Sequence, residues 1–173
     1  MNNFENNSRR KQEIKGRPLA DLIYHKNWDY NSEGILIKRY EFDDKLILDK
    51  EFAIDVTLTL PNGMLLNGQE KYLSFKYSSF GTLTVEYMQN PQTKEKGDWF
   101  KLAPQFYFCG YFNESETDFI KYVLVDWPKL VLNSNDGLIV WYDNKNQDGN
   151  ARASFRYTYF KNIPDDCIID IKL

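Results

Sequence analysis

Asp55, Gln69 and Lys71 are the residue types from which a metal-dependent phosphodiester hydrolase can be assembled. Such chemistry needs oxygen ligands for a divalent cation and a positive charge beside the attacking water. Gln69 and Lys71 are two residues apart, so on a strand they share one face. Asp55 lies in an alternating stretch, residues 52–60, which places Ile54, Val56, Leu58 and Leu60 on one face and Asp55, Thr57 and Thr59 on the other. Between the two segments, Pro61-Asn62-Gly63 carries strong hairpin signals, because Asn and Gly tolerate positive φ. The turn is expected to bring residues 52–60 and 64–75 together as antiparallel neighbours near the sheet centre, with Asp55 across from Gln69 and Lys71. The backbone carbonyl of Glu70 is a further candidate metal ligand, and Glu86 on a following strand is a second candidate acid.

This segment, from about residue 52 to residue 88, resembles the PD-(D/E)XK nuclease superfamily, whose members carry an Asp, a hairpin and then (D/E)-x-K. The resemblance implies a restriction-endonuclease-like fold and hydrolysis of nucleic acid, DNA rather than RNA, with Mg²⁺ or Mn²⁺. It makes Asp55, Gln69 and Lys71 the catalytic set. Asp55, Glu86 and Glu70 become the metal ligands, and Lys71 would polarise the attacking water. Two departures stand out: Gln69 replaces the usual acid, and Ile54 stands where a Pro often precedes the Asp. Glu86, Glu70 or Glu51 would have to restore the missing charge, and Glu13 is the candidate for an acid on the first helix. The same alternation also describes an ordinary polar sheet face, so a non-catalytic β-rich interaction module is the competing expectation, with homodimer or protein partners and a phage or mobile-element setting.

Other chemistry is poorly supplied. His25 is the only histidine, which removes histidine triads and His-rich metal sites. No Gly-rich phosphate loop occurs. Cys109 and Cys167 form neither a disulfide framework nor a CxxC pair, and Cys109 sits in an apolar run that suits a buried thiol. A net charge of −3 argues against coating nucleic acid by charge alone. The basic residues Arg9, Arg10, Lys11, Lys15 and Arg17 form a local exception that would suit phosphates. Aromatic residues make up 16% of the chain, which favours strands and admits base stacking or a sticky interface.

The elements that must position these groups follow from the rest of the pattern. The chain is the size of one domain and is expected to be α+β, with a central, largely antiparallel or mixed sheet flanked by a few short helices. Residues 1–16 are expected to be a flexible basic arm and residues 17–173 the single domain. Pro18 suits a first helical turn, with Leu19, Leu22 and Ile23 as its apolar stripe and an end near Asn27. Strands are expected over residues 34–42, with a break at Asp43-Asp44, and over 52–60, 64–75 and 82–88, the last three as a meander. Residues 90–97 read as a loop and 99–103 as a helical turn. Strands follow over 105–112 and 119–125, then a helix capped by Asp126 and closed near Gly137. Late strands over 138–142 and 153–160 flank a polar loop at 143–150, and a short strand follows the turn at 163–166. With neither an apolar leader nor a spanning segment, the cytoplasm is the expected compartment and a membrane is not a partner.

Overall fold

The computed structural model describes residues 3–29, 32–39, 48, 51–90, 93–144 and 153–173, with side chains from Arg10 onward. The expected continuation of the first strand past Arg39, the break at Asp43-Asp44 and the loop at 145–150 lie outside these residues. The chain forms a mixed α+β domain of two sheets. A six-stranded sheet runs in spatial order through residues 36–39, 56–59, 65–73, 106–112, 119–126 and 168–172, and a four-stranded sheet through 95–96, 82–90, 154–159 and 142–144.

The first helix, α1 (Asn3–Trp28), is longer than its expected start at Pro18, which lies inside it. The boundary expected between an arm and a domain at residues 16 and 17 therefore falls within one helix. The buried face of α1 is Gly16, Ala20, Ile23 and Tyr24, while Leu22 is 68% exposed. Docking at Gly16 explains the continuity: a Cβ there would sit 2.3 Å from the ring of Tyr72, so only glycine lets the helix lie this close to the sheet. Lys15 pairs with Glu116, and Arg17 with Glu13 one turn earlier.

The strands β1 (Leu36–Arg39), β2 (Val56–Thr59) and β3 (Leu65–Leu73) form an antiparallel meander. The β2–β3 turn is the expected one: Gly63 has φ +80° and donates to Leu60 O at 2.8 Å, and Leu60 N donates to Met64 O at 2.9 Å. Strand β2 is shorter than expected because Glu51 and Phe52 are helical and Ala53 takes φ +49°.

The third expected strand of the meander departs from it. Strand β4 (Thr82–Asn90) belongs to the small sheet, where it pairs with β5 (Glu95–Lys96) and β9 (Ser154–Tyr159). The place beside β3 is taken in parallel by β6 (Phe106–Phe112), followed by β7 (Phe119–Asp126) and, at the edge, β10 (Ile168–Lys172). Every residue of β6 is buried, which suits a strand covered on both sides. Asp126 caps α2 (Trp127–Asn135) by accepting from Lys129 N at 3.0 Å, and Gly137 follows with φ +75°. The short β8 (Tyr142–Asn144) pairs with β9.

Two cores result. Between α1 and the large sheet lie Tyr24, Val56, Leu58, Tyr72, Phe106 and Phe108. On the sheet's other side, Tyr107, Cys109 and Tyr111 meet Leu83 and Val85 of β4, together with Trp127 and Leu130 of α2. The small sheet is joined to this face along an edge. Thr82 and Thr84 turn their backbone groups away from β9. Tyr111 Oη accepts from Thr82 N at 3.1 Å and donates to Thr82 O at 2.7 Å, Cys109 Sγ donates to Thr82 O at 3.6 Å, and Tyr107 Oη donates to Thr84 O at 2.9 Å.

Asp170 ties β10 to α1. Its Oδ2 accepts from Lys26 Nζ at 2.8 Å, Asn27 Nδ2 at 3.0 Å and Tyr122 Oη at 3.1 Å. Burial pushes this carboxyl up, but the three donors outweigh burial and hold it below the ordinary value. A group depressed in the folded state stabilises above its unfolded pKa of about 3.9 and loses that contribution as pH falls through the folded value. In urea unfolding, wild type should therefore exceed Asp170→Asn in stability at pH 7, and the gap should close toward pH 2–3. A gap that stays constant over this range would contradict the assignment.

Candidate functional site

The β2–β3 register pairs Val56 with Gly68, which places Asp55 beside Gln69 one step before β2. Asp55 N donates to Gly68 O at 2.9 Å. Asp55 Oδ2 accepts from Gln69 Nε2 at 2.6 Å and from Glu70 N at 3.1 Å. Gln69 is 8% exposed, and its Oε1 is a buried acceptor without a hydrogen-bond partner among the described residues. Lys71 follows on the same face, where its register partner is Cys109. Its ammonium lies 4.7 Å from the ring centroid of Phe155 on β9. Phe155 is the register partner of Glu86, so these two share a face of the small sheet. Lys71 thus reaches from the large sheet to the strand position opposite Glu86. Burial pushes the Cys109 thiol up to about 12, against the opposing charge of Lys71, so it stays protonated and unreactive at neutral pH.

Glu70 lies on the opposite face. Its carboxylate receives Arg39 Nη2 at 2.7 Å and Nε at 3.0 Å, a two-pronged contact, and Tyr24 Oη at 2.9 Å. Arg39 Nη2 also donates to Asp21 at 2.6 Å. The Glu70 side chain is 3% exposed and that of Arg39 is 12% exposed. Burial pulls the guanidinium down, but Glu70 and Asp21 outweigh it and keep Arg39 charged. Burial first, and the Glu70 charge second, push the phenols of Tyr24 and Tyr72 well up. As a side chain, Glu70 is therefore not available beside Asp55; only its backbone N–H reaches that residue. The alternation held the clue. If Gln69 and Lys71 share one face, Glu70 must share the other with Tyr72, and an acid on an apolar face requires a cation.

The basic residues are spread along α1, which covers the face of the large sheet opposite Gln69 and Lys71. Arg10 and Lys11 are exposed, Lys15 is paired with Glu116, Arg17 is half-buried, and the side chain of Arg9 lies outside the described residues. They do not converge with Asp55. Glu13 is held by Arg17, and Glu51 is exposed in the helical turn before Asp55. His25, in the last turn of α1, faces Asp29 at 3.4 Å. Among the described residues, no group of three or more His, Cys, Asp and Glu side chains is arranged to hold a metal, and no helix is long and apolar enough to cross a membrane. Searches of known protein families, of curated proteins and of solved structures find no match.

Proposed function

We propose that the face bearing Asp55, Gln69 and Lys71 is a nuclease site that hydrolyses phosphodiester bonds with a divalent cation. One observation carries the reading: the buried Gln69 Oε1, without a hydrogen-bond partner among the described residues, belongs to the amide that contacts the Asp55 carboxylate. An orphaned acceptor is costly to bury. Oxygen donors on an anionic site suit a hard cation such as Mg²⁺ or Mn²⁺. Asp55 and Gln69 would hold it, with Glu86, the register partner of Phe155, the candidate for the second acid on the small sheet. The cation supplies positive charge that lowers the pKa of water at the site. The remaining work belongs to the chain: Lys71 would steady the attacking oxygen and the scissile phosphate, and Asp55, fixed by Glu70 N, would keep its orientation when Gln69 turns its amide.

A second reading has its own observation. Asp55 already accepts from the Gln69 amide at 2.6 Å, an arrangement that needs no metal and suits a structural polar cluster in a non-catalytic interaction module with protein or self partners. Labelled DNA and RNA oligonucleotides incubated with Mg²⁺ or Mn²⁺ separate the two. Cleavage that EDTA stops is expected for the nuclease, on DNA before RNA. Intact DNA and RNA under all of these conditions would leave the interaction module.

A further inference from the structure

Strand β9 carries Phe155, Tyr157 and Tyr159 at alternate positions, hence on one face. Tyr142 of β8 extends that face: its ring lies 5.4 Å from Tyr157 at an interplanar angle of 23°, and 5.7 Å edge-on from Tyr159. Tyr142 is 40% exposed. An ammonium stands at each end of the row, Lys71 over Phe155 and Lys161 at 5.8 Å from the Tyr159 ring centroid. The acid of β4 on this face, Glu86, stands at the Phe155 end. Asp143, next to Tyr142 on β8, projects to the other side and is taken by Arg156 at 2.8 Å.

We infer that this tyrosine face is a stacking platform for unpaired bases, so that the nucleic acid reaching Asp55 and Lys71 is single-stranded. The five strand residues from Phe155 to Tyr159 span about 13 Å, enough for two or three unstacked bases. Aromatic rings accept any base on its π face, and the flanking ammoniums match an anionic backbone. A duplex hides its base faces and offers this surface only phosphates, for which two lysines are a weak match. The row begins at Phe155, where Lys71 already lies, so a strand laid along it would run into the proposed cleavage site.

The inference takes its substrate from the nuclease reading, but its test does not depend on cleavage. Fluorescence anisotropy would follow labelled oligothymidylate, oligouridylate and a DNA duplex of equal length, all in EDTA. Single strands should bind better than the duplex, and the oligothymidylate–oligouridylate ratio reads the sugar and the thymine methyl together. Tyr142→Ala should weaken single-strand binding about tenfold and Tyr142→Trp should restore it. Lys161→Gln should reduce the slope of log K against log salt by about 0.7. Equal binding of single strands and duplex, or Tyr142→Ala binding like wild type, would overturn the inference. Stacking-dependent binding without metal-dependent cleavage would sink the nuclease reading alone, and cleavage with tyrosine-independent binding would sink the platform alone.

Discussion

Asp55→Asn is expected to lose metal-dependent cleavage by a factor on the order of a thousand, while its melting temperature stays close to that of wild type. If Asp55 holds a cation as proposed, the rate loss follows from removing an anionic ligand of a charge that would contribute several kcal/mol to the transition state. The fold is spared because an asparagine oxygen still accepts Glu70 N, as Asp55 Oδ2 does at 3.1 Å. Asp55→Ala would lose the same activity but leave Glu70 N and the Gln69 amide without their acceptor, which costs about 1–3 kcal/mol. The asparagine variant therefore isolates charge from hydrogen bonding. Rates measured under single turnover with Mg²⁺ or Mn²⁺ decide the matter: an Asn variant that cleaves within tenfold of wild type would remove Asp55 from the catalytic set.

On the other side of the same hairpin, Arg39→Ala should destabilise the protein by about 3–5 kcal/mol, because it leaves the buried Glu70 carboxylate without its counterion. For a chain of this size that corresponds to a fall in melting temperature of roughly 10 °C. The paired replacement Arg39→Met with Glu70→Leu should recover only part of the loss, since the buried ion pair is exchanged for apolar groups while the Tyr24 hydroxyl and the Asp21 carboxylate lose their partners. Urea unfolding of the single and double variants measures the difference. A single variant that loses less than about 1 kcal/mol would mean that Tyr24 and solvent satisfy Glu70 without Arg39.

Much of this architecture was legible in local chemistry. The period-two run through Ile54, Val56 and Leu58, closed by Pro61-Asn62-Gly63, specifies the β2–β3 hairpin and hence the meeting of Asp55 with Gln69. Asp126 followed by Pro128 specifies the start of α2. What was not legible is what tertiary contact decides. Leu83 and Val85 show that β4 has an apolar face, but alternation cannot say which sheet a strand joins, and β4 joins the second one. Pro18 reads as a helix start because nothing in the polar segment before it shows a helical period. Its turn is held by Gly16 against Tyr72, a contact 56 positions away in the chain. The Arg39–Glu70 pair needed the register of three strands at once. The aromatic row of β9 is visible as alternation, but its continuation onto Tyr142 depends on the pairing of β8 with β9.

The joint between the two sheets has a consequence for how the protein behaves in a crowd of its own copies. An unpaired strand edge offers its N–H and C=O groups to any extended chain that comes near, and this is how sheets grow into aggregates. Where β4 runs free of β5, an incoming strand would need the backbone groups of Thr82 and Thr84. Those are already occupied by Tyr111, Cys109 and Tyr107, side chains that stand out from the middle of another sheet. Two phenols and a thiol substitute for a neighbouring strand while giving no edge of their own to extend, so along this stretch the small sheet ends against the large one instead of remaining open to recruitment.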